Sequence, residues 1–189
     1  MCGGVFRRTV CMAAVFVFSQ MEGRAGEAVP SAQELCREWF GSSTLVAPLA
    51  TSDTNSVVQQ VTSDGQTIGW IFRTDQVPPV CQGKRGEIAV LVGLGTEGRI
   101  KGLRVLSHKE DTRYFNRLKP SFFRQFLNLR ADAGTHGIDA VTHATFSSHA
   151  IIQDVMEGAR HVISLPEVAA QRKHSEDCAL TKTAAVLHN

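Results

Sequence analysis

The sequence predicts an α+β domain: a single antiparallel sheet built from hairpins, with helices packed on one side. Three observations predict it. Asp64-Gly65 separates two β-prone runs, the pattern of a tight hairpin. Gly95-Thr96-Glu97-Gly98 separates two more. After the last of these runs, Ile151, Ile152, Val155, Met156, Ala159, Val162 and Ile163 recur at helical spacing, which makes residues 149–163 an amphipathic helix suited to lie on a sheet.

The elements follow in chain order. Residues 1–26 have the form of a secretory signal. Arg7 and Arg8 make a basic start, Thr9 to Phe18 is a short apolar run, and Ala25, Gly26 and Ala28 are small. The apolar run is too short to span a bilayer comfortably, and no later stretch is apolar enough to do so. The expectation is therefore an exported, periplasmic or extracytoplasmic protein. Arg7, Arg8 and Arg24 against Glu22 account for the whole formal net charge of +2. The remainder is balanced, with no basic stripe of the kind nucleic acid requires. Residues 27–54 read as an N-terminal helix and linker. Ser31 begins Ser31 to Phe40 as an N-cap, with Glu34 three residues on in a capping-box pattern, and Gly41-Ser42-Ser43 breaks the helix.

Residues 55–166 read as the domain proper. Val57 to Thr62 and Thr67 to Arg73 form the first hairpin. Val77-Pro78-Pro79 to Gly86 is a loop, because adjacent prolines cannot sustain a ladder. Glu87 to Leu94 is a continuous apolar strand expected near the centre of the sheet, paired with Arg99 to Ser107. His108 to Thr112 is a polar loop just past the strand end. Tyr114 to Leu129 is helical in composition but divided by Pro120. Residues 167–189 lack a sustained period and read as a flexible tail. Outside the signal remain Cys36, Cys81 and Cys178. A Cys36–Cys81 disulfide in an oxidising compartment and free thiols are both open.

The chemistry concentrates in Asp139-Ala140-Val141-Thr142-His143-Ala144-Thr145-Phe146-Ser147-Ser148. Hydroxyl side chains sit there just ahead of a helix that begins near His149, with Ser147 or Ser148 as its cap. The first turn of a helix has unpaired N–H groups and the positive end of the dipole, so a phosphate is stabilised there. Thr142 and Thr145 could hydrogen-bond that phosphate or carry it as an ester. Ala144 leaves room for close approach, and Asp139 could accept backbone N–H bonds and fix the loop. The same string also suits a plain Asx turn and N-cap. His108, His136, His143, His149 and His161 fall in one part of the chain, but their spacing places no two on one helix face with a carboxylate. They read as surface histidines, with no metal site. Glu110 and Asp111 suit an acid/base pair or, more simply, a solvated loop.

Residues 138–148 resemble the flavinylation motif of the FMN-binding domain family, approximately D-[AG]-[VI]-[ST]-G-A-T-x-[ST]-S. That family includes the C subunit of the sodium-translocating NADH:quinone reductase, the G subunit of the Rnf complex and the periplasmic domain of the nitrous-oxide reductase regulator. Further stretches match in the family's order: Gly69 to Phe72, the hairpin of Ile88 to Val105, Ser107 to Thr112 and Phe122 to Phe126. The resemblance implies FMN as cofactor, esterified through its phosphate to Thr145 by a flavin transferase. Thr142, His143, Ala144, Ser147 and Asp139 would surround the phosphate, with His108 and Glu110 near the isoalloxazine or ribityl chain. Trp70 or Phe146 would pack on the flavin or belong to the core. The chain departs from the pattern at His143, where glycine is usual, and at Asp111, which interrupts an E-T pair. It also lacks the transmembrane helices and cysteine clusters that accompany the domain in the regulator. The implied role is an electron-transfer flavoprotein or redox-complex subunit working with redox partner proteins, soluble or membrane-bound. It would have no catalytic side chains of its own. The alternative is a sensory or interaction module of the same fold that binds FMN non-covalently or not at all.

Overall fold

The computed structural model describes residues 30–49 and 57–174. The signal-like segment and Cys178 lie outside the described residues. Helix α1 (Ala32–Phe40) is followed by strands β1 (Thr44–Pro48), β2 (Val58–Ser63), β3 (Gln66–Arg73), β4 (Ile88–Gly95) and β5 (Ile100–His108). Helices α2 (Thr112–Phe115), α3 (Pro120–Arg124) and α4 (Thr145–Ser164) come next, and residues 166–174 are also helical (α5). The five strands form one antiparallel sheet in sequence order. This is the predicted α+β architecture, with the main core and α4 on one face.

Local chemistry sets these elements. Ser31 and Glu34 complete the capping box: the Glu34 amide donates to Ser31 Oγ and the Ser31 amide to the Glu34 carboxylate. Asp64 and Gly65 both take positive φ, 52° and 75°, as a two-residue hairpin turn compatible with strand twist demands. β4 is buried along its whole length, which is why its sequence is a continuous apolar run rather than an alternation.

The alternation along β3 separates two cores. Trp70 and Phe72 face α4 with Val90, Val92, Ile151, Val155 and Met156. Ile71 faces the other way, with Cys36, Val61, Trp39 and Phe40. The short helix α1 therefore lies on the face opposite α4. It reaches that face because Gly69, Gly93 and Gly102 remove side chains from adjacent strands. A Cβ on Gly93 would stand 2.7 Å from the Trp39 ring, and one on Gly102 would overlap the same indole. The glycines form a trough that the ring fills.

Several expectations change. Thr44–Pro48, read as linker, is an edge strand on β2. Its only strongly apolar exposed member, Leu45, and its terminal proline conceal it, since prolines are tolerated only at such edges. The division of 114–129 at Pro120 holds, as the short helices α2 and α3, but the helical structure covers less of the stretch than its composition suggests. Residues 167–174, read as the start of a flexible tail, are anchored. Val168 is buried, Gln171 accepts a bond from the Trp70 indole at 3.2 Å, and Arg172 Nε donates to the Thr96 carbonyl at 3.0 Å. A buried indole N–H needs an acceptor, and α5 brings one. Cys36 and Cys81 are free thiols on opposite faces of the sheet. Burial pushes both up to about 11, so they stay protonated at neutral pH. Among the described residues no helix is long and apolar enough to cross a membrane.

One buried charge links α4 to the loop before β4. Asp154, 1% exposed, accepts the Cys81 amide at 2.6 Å, and burial raises its carboxyl to about 6. A folded-state pKa above the unfolded value of 3.8 means that folding takes up a proton between those values, so stability falls as pH rises through that window. Asp154→Asn keeps an acceptor and removes the titration. Urea unfolding should show the wild type losing roughly 1–3 kcal/mol more than the variant between about pH 4 and 7. Gly102→Ala should lower stability by about 1–3 kcal/mol through overlap with Trp39, and the same substitution should cost less in a Trp39→Ala background, as read by urea unfolding of the four proteins.

Candidate functional site

α4 begins at Thr145, four residues earlier than its apolar periodicity indicates. Ala144 occupies the N-cap position and gives no side-chain cap. Ser147 and Ser148 are therefore first-turn residues, not caps. Each has another task. Ser148 Oγ donates to the Ala144 carbonyl at 3.0 Å and accepts the Val141 amide at 3.1 Å, which folds the preceding turn back onto the helix. Asp139 is exposed, and its backbone rather than its carboxylate holds the loop. The Gln125 side chain accepts the Asp139 amide at 2.8 Å and donates to the Asp139 carbonyl at 3.3 Å. His143 sits at φ 68°. That is the left-handed region in which glycine is easiest and in which histidine is among the better tolerated side chains. The departure from the family pattern therefore falls at a residue whose backbone has the conformation glycine favours.

The helix N-terminus opens into a pocket of about 290 Å³. His143, Ala144, Thr145, Phe146 and Ser147 line one side, Glu110, Asp111 and Tyr114 another, and Lys84 and Arg85 the third. Thr145 is exposed at the first position of α4. Phe146 and Tyr114 are large aromatic side chains left 70% and 44% exposed.

Glu110 joins these three sides. Its Oε2 accepts the Ser147 hydroxyl at 2.5 Å and its Oε1 accepts the Arg85 amide at 2.6 Å. Burial pushes its carboxyl up, but the Ser147 hydroxyl and the Arg85 and Lys84 amides outweigh this and hold it below the usual range. It is an ionised, nearly buried carboxylate. Gly83 makes room for it: a Cβ there would come within 2.8 Å of Oε1. Asp111 caps α2 through the Arg113 amide at 2.9 Å and pairs with Arg85 at 3.5 Å. Both acids are thus structural partners of the pocket wall.

Of the residues singled out from the sequence, Thr145, Ala144, His143, Ser147 and Glu110 meet at the pocket. Thr142 and Asp139 are exposed on the preceding turn and do not line it. His108 stacks on Phe115 with ring centroids 3.6 Å apart, and burial lowers its pKa. It stands behind Glu110, outside the lining. Trp70 is core, fully buried and bonded to Gln171, whereas Phe146 faces the pocket. Lys84, Arg85 and Tyr114 escape sequence reasoning. The adjacent basic pair in a glycine-flanked loop, Gly83-Lys84-Arg85-Gly86, was the available signal.

The arrangement suits a phosphorylated ligand with an aromatic part. The uncapped amides of a 20-residue helix and two cations in the facing loop favour an anion. Exposed aromatic faces beside them favour a flat ring. If Glu110 organises the pocket, Glu110→Ala should cost about 1–3 kcal/mol, because the Arg85 amide and the Ser147 hydroxyl lose their acceptor. Glu110→Gln should recover much of that loss, as read by thermal unfolding.

No curated protein matches the chain. Residues 83–159 match the model of the FMN-binding domain family. The match runs from the glycine before Lys84 through β4, β5 and the pocket turn into α4, while α1 and β1–β3 lie outside it and complete the same sheet. The pocket, at the N-terminus of α4, lies wholly within the matched residues, and residues 83–159 are an FMN-binding domain, which indicates FMN as the cofactor.

Proposed function

We propose that this protein is an exported flavoprotein that carries electrons in a periplasmic or extracytoplasmic redox chain, with FMN attached by a phosphoester to Thr145. The observation that carries the reading is the position of Thr145. It is an exposed hydroxyl at the first residue of α4, in the wall of a pocket that also holds Lys84 and Arg85. A phosphate bound there would meet free helix amides, the helix dipole and two cations. Tyr114 and Phe146 would flank the flavin ring. FMN supplies one- and two-electron redox chemistry, and the protein binds, orients and shields it.

The pocket is at the lower bound of the roughly 300–1,000 Å³ typical of cavities that enclose a small ligand. A mononucleotide would be held at one end and open to solvent at the other, which suits a carrier that passes electrons to another protein. Export rests on the basic, apolar and small-residue pattern of residues 1–26, and a periplasmic flavin transferase is the maturation partner this reading requires. The positive φ of His143 favours the covalent reading over a flavin-free sensory module, because the turn beside Thr145 keeps a glycine-like conformation without glycine.

Intact mass after co-expression with a flavin transferase tests the attachment. The wild type should gain one FMN less one water and Thr145→Ala should gain nothing while keeping its circular dichroism. An unmodified wild type under those conditions would remove the covalent bond from the reading, and a titration with free FMN would then decide whether binding remains.

A further inference from the structure

We propose that the mouth of this pocket is a docking surface for an acidic protein, the partner with which the flavin exchanges electrons. The inference rests on the electron-carrier reading and adds the chemistry of the partner. A phosphate in the pocket would account for Lys84 and Arg85, which line it. It would not account for Lys109, Arg113 and Arg117, which lie outside the lining.

Lys109 lies against the loop that carries Lys84 and Arg85, and Arg113 and Arg117 flank the pocket residue Tyr114 in the chain. The Lys109 stem lies against Gly86, where an added Cβ would be 3.4 Å from Lys109 Cδ. Arg113 precedes the pocket residue Tyr114 in α2, and the Arg117 amide donates to the Tyr114 carbonyl at 3.1 Å. All three side chains are exposed. Among the described residues none of Lys84, Lys109, Arg113 and Arg117 forms an ion pair, whereas Arg73, Lys101, Arg130 and Arg160 each have an acidic neighbour. Of the two acids in the same segment, Glu110 is buried and Asp111 is engaged by Arg85. Counting Glu87, which the strand register brings opposite Lys109, with Glu110 and Asp111 against Lys84, Arg85, Lys109, Arg113 and Arg117, this end of the domain keeps an excess of positive charge.

An electron carrier must bring its cofactor close to its partner, and here the open end of the pocket is the cationic rim. Electron-transfer encounters bury little surface and depend on charge steering for their rates. An acidic surface on the partner would be attracted to this end of the molecule, where the open edge of the pocket lies. A nucleic acid would need a longer basic stripe than this rim provides.

The test uses FMN-loaded full-length protein, reduced with dithionite and mixed in stopped flow with probes of opposite charge. Reduced FMN, as the anionic hydroquinone, gives two electrons and one proton. Each of two ferricyanide ions takes one electron, iron(III) becoming iron(II), and the proton passes to water. Oxidation by the anion ferricyanide should slow about tenfold between roughly 10 and 300 mM salt. Oxidation by the cation hexaammineruthenium(III) should speed up over the same range. The triple variant Lys109→Glu, Arg113→Glu, Arg117→Glu should reverse both trends, and Lys173→Glu on α5 should leave them unchanged. Identical salt dependence in wild type and triple variant would overturn the proposal.

A second measurement separates this inference from the flavin reading. Amide resonances of the protein without FMN, titrated with poly-glutamate, should shift at residues 84–86 and 109–117. Absent or scattered shifts overturn the docking surface. Shifts at the rim in a protein that takes up no FMN would leave the acidic-partner surface standing and remove the electron-carrier reading. Binding to phosphatidylserine vesicles that the triple variant abolishes, without rim shifts from poly-glutamate, would assign the surface to a membrane and overturn the acidic protein.

Discussion

The Glu110 carboxylate is the contact on which the pocket depends. It lies just beyond β5, yet its two oxygens bind the loop before β4 and the first turn of α4. Three segments distant in sequence meet on one ionised group. A buried charge is tolerated only where it is well satisfied, and here the neighbouring hydroxyl and amides stabilise the charged form more than burial penalises it. The same contact fixes the spacing between Lys84 and Arg85 on one wall and Thr145 on the other. Gly83 is part of it, because only a residue without a side chain leaves space for the carboxylate.

The sheet supplies the rigidity behind that contact. β4 is covered on both faces, by α4 on one and by the Trp39 and Phe40 rings of α1 on the other. An interior strand sandwiched in this way cannot tilt without opening two cores, so the end of β5 that leads into Glu110 has a fixed origin. α4 is tied to the same frame a second time, through Asp154 and the Cys81 amide. The loop between β3 and β4 is thus held by two carboxylates, Asp154 at the Cys81 amide and Glu110 at the Arg85 amide. The candidate site lies at the edge of a well-packed scaffold, on turns whose geometry the scaffold imposes.

Much of this was legible in the sequence, for identifiable reasons. The hairpin at Asp64-Gly65 and the capping box at Ser31 and Glu34 are local devices, written in neighbouring residues. The phosphate-suited turn before α4 is local too, and the resemblance to the FMN-binding domain rested on it and on the strands that precede it. What escaped depends on distant partners. Thr44–Pro48 is a strand because β2 lies beside it, and residues 166–174 are ordered because Trp70 needs an acceptor. Glu110 read as a flavin contact or a solvated acid, because nothing adjacent to it in sequence announces that Ser147 and Arg85 will surround it. The start of α4 was displaced for a different reason: its first turn faces the pocket instead of the core, so it carries hydroxyls where periodicity looks for apolar residues.

His143 shows how a motif should be stated. Its letter departs from the family pattern while its backbone angle remains in the left-handed region. Glycine meets such a dihedral most easily; asparagine, aspartate and histidine meet it at modest energetic cost. A pattern search that demands glycine would discard this chain, whereas a search written in backbone conformation would keep it. In this chain the spelling of the turn departs from the pattern while its backbone stays in the conformation that glycine adopts most readily.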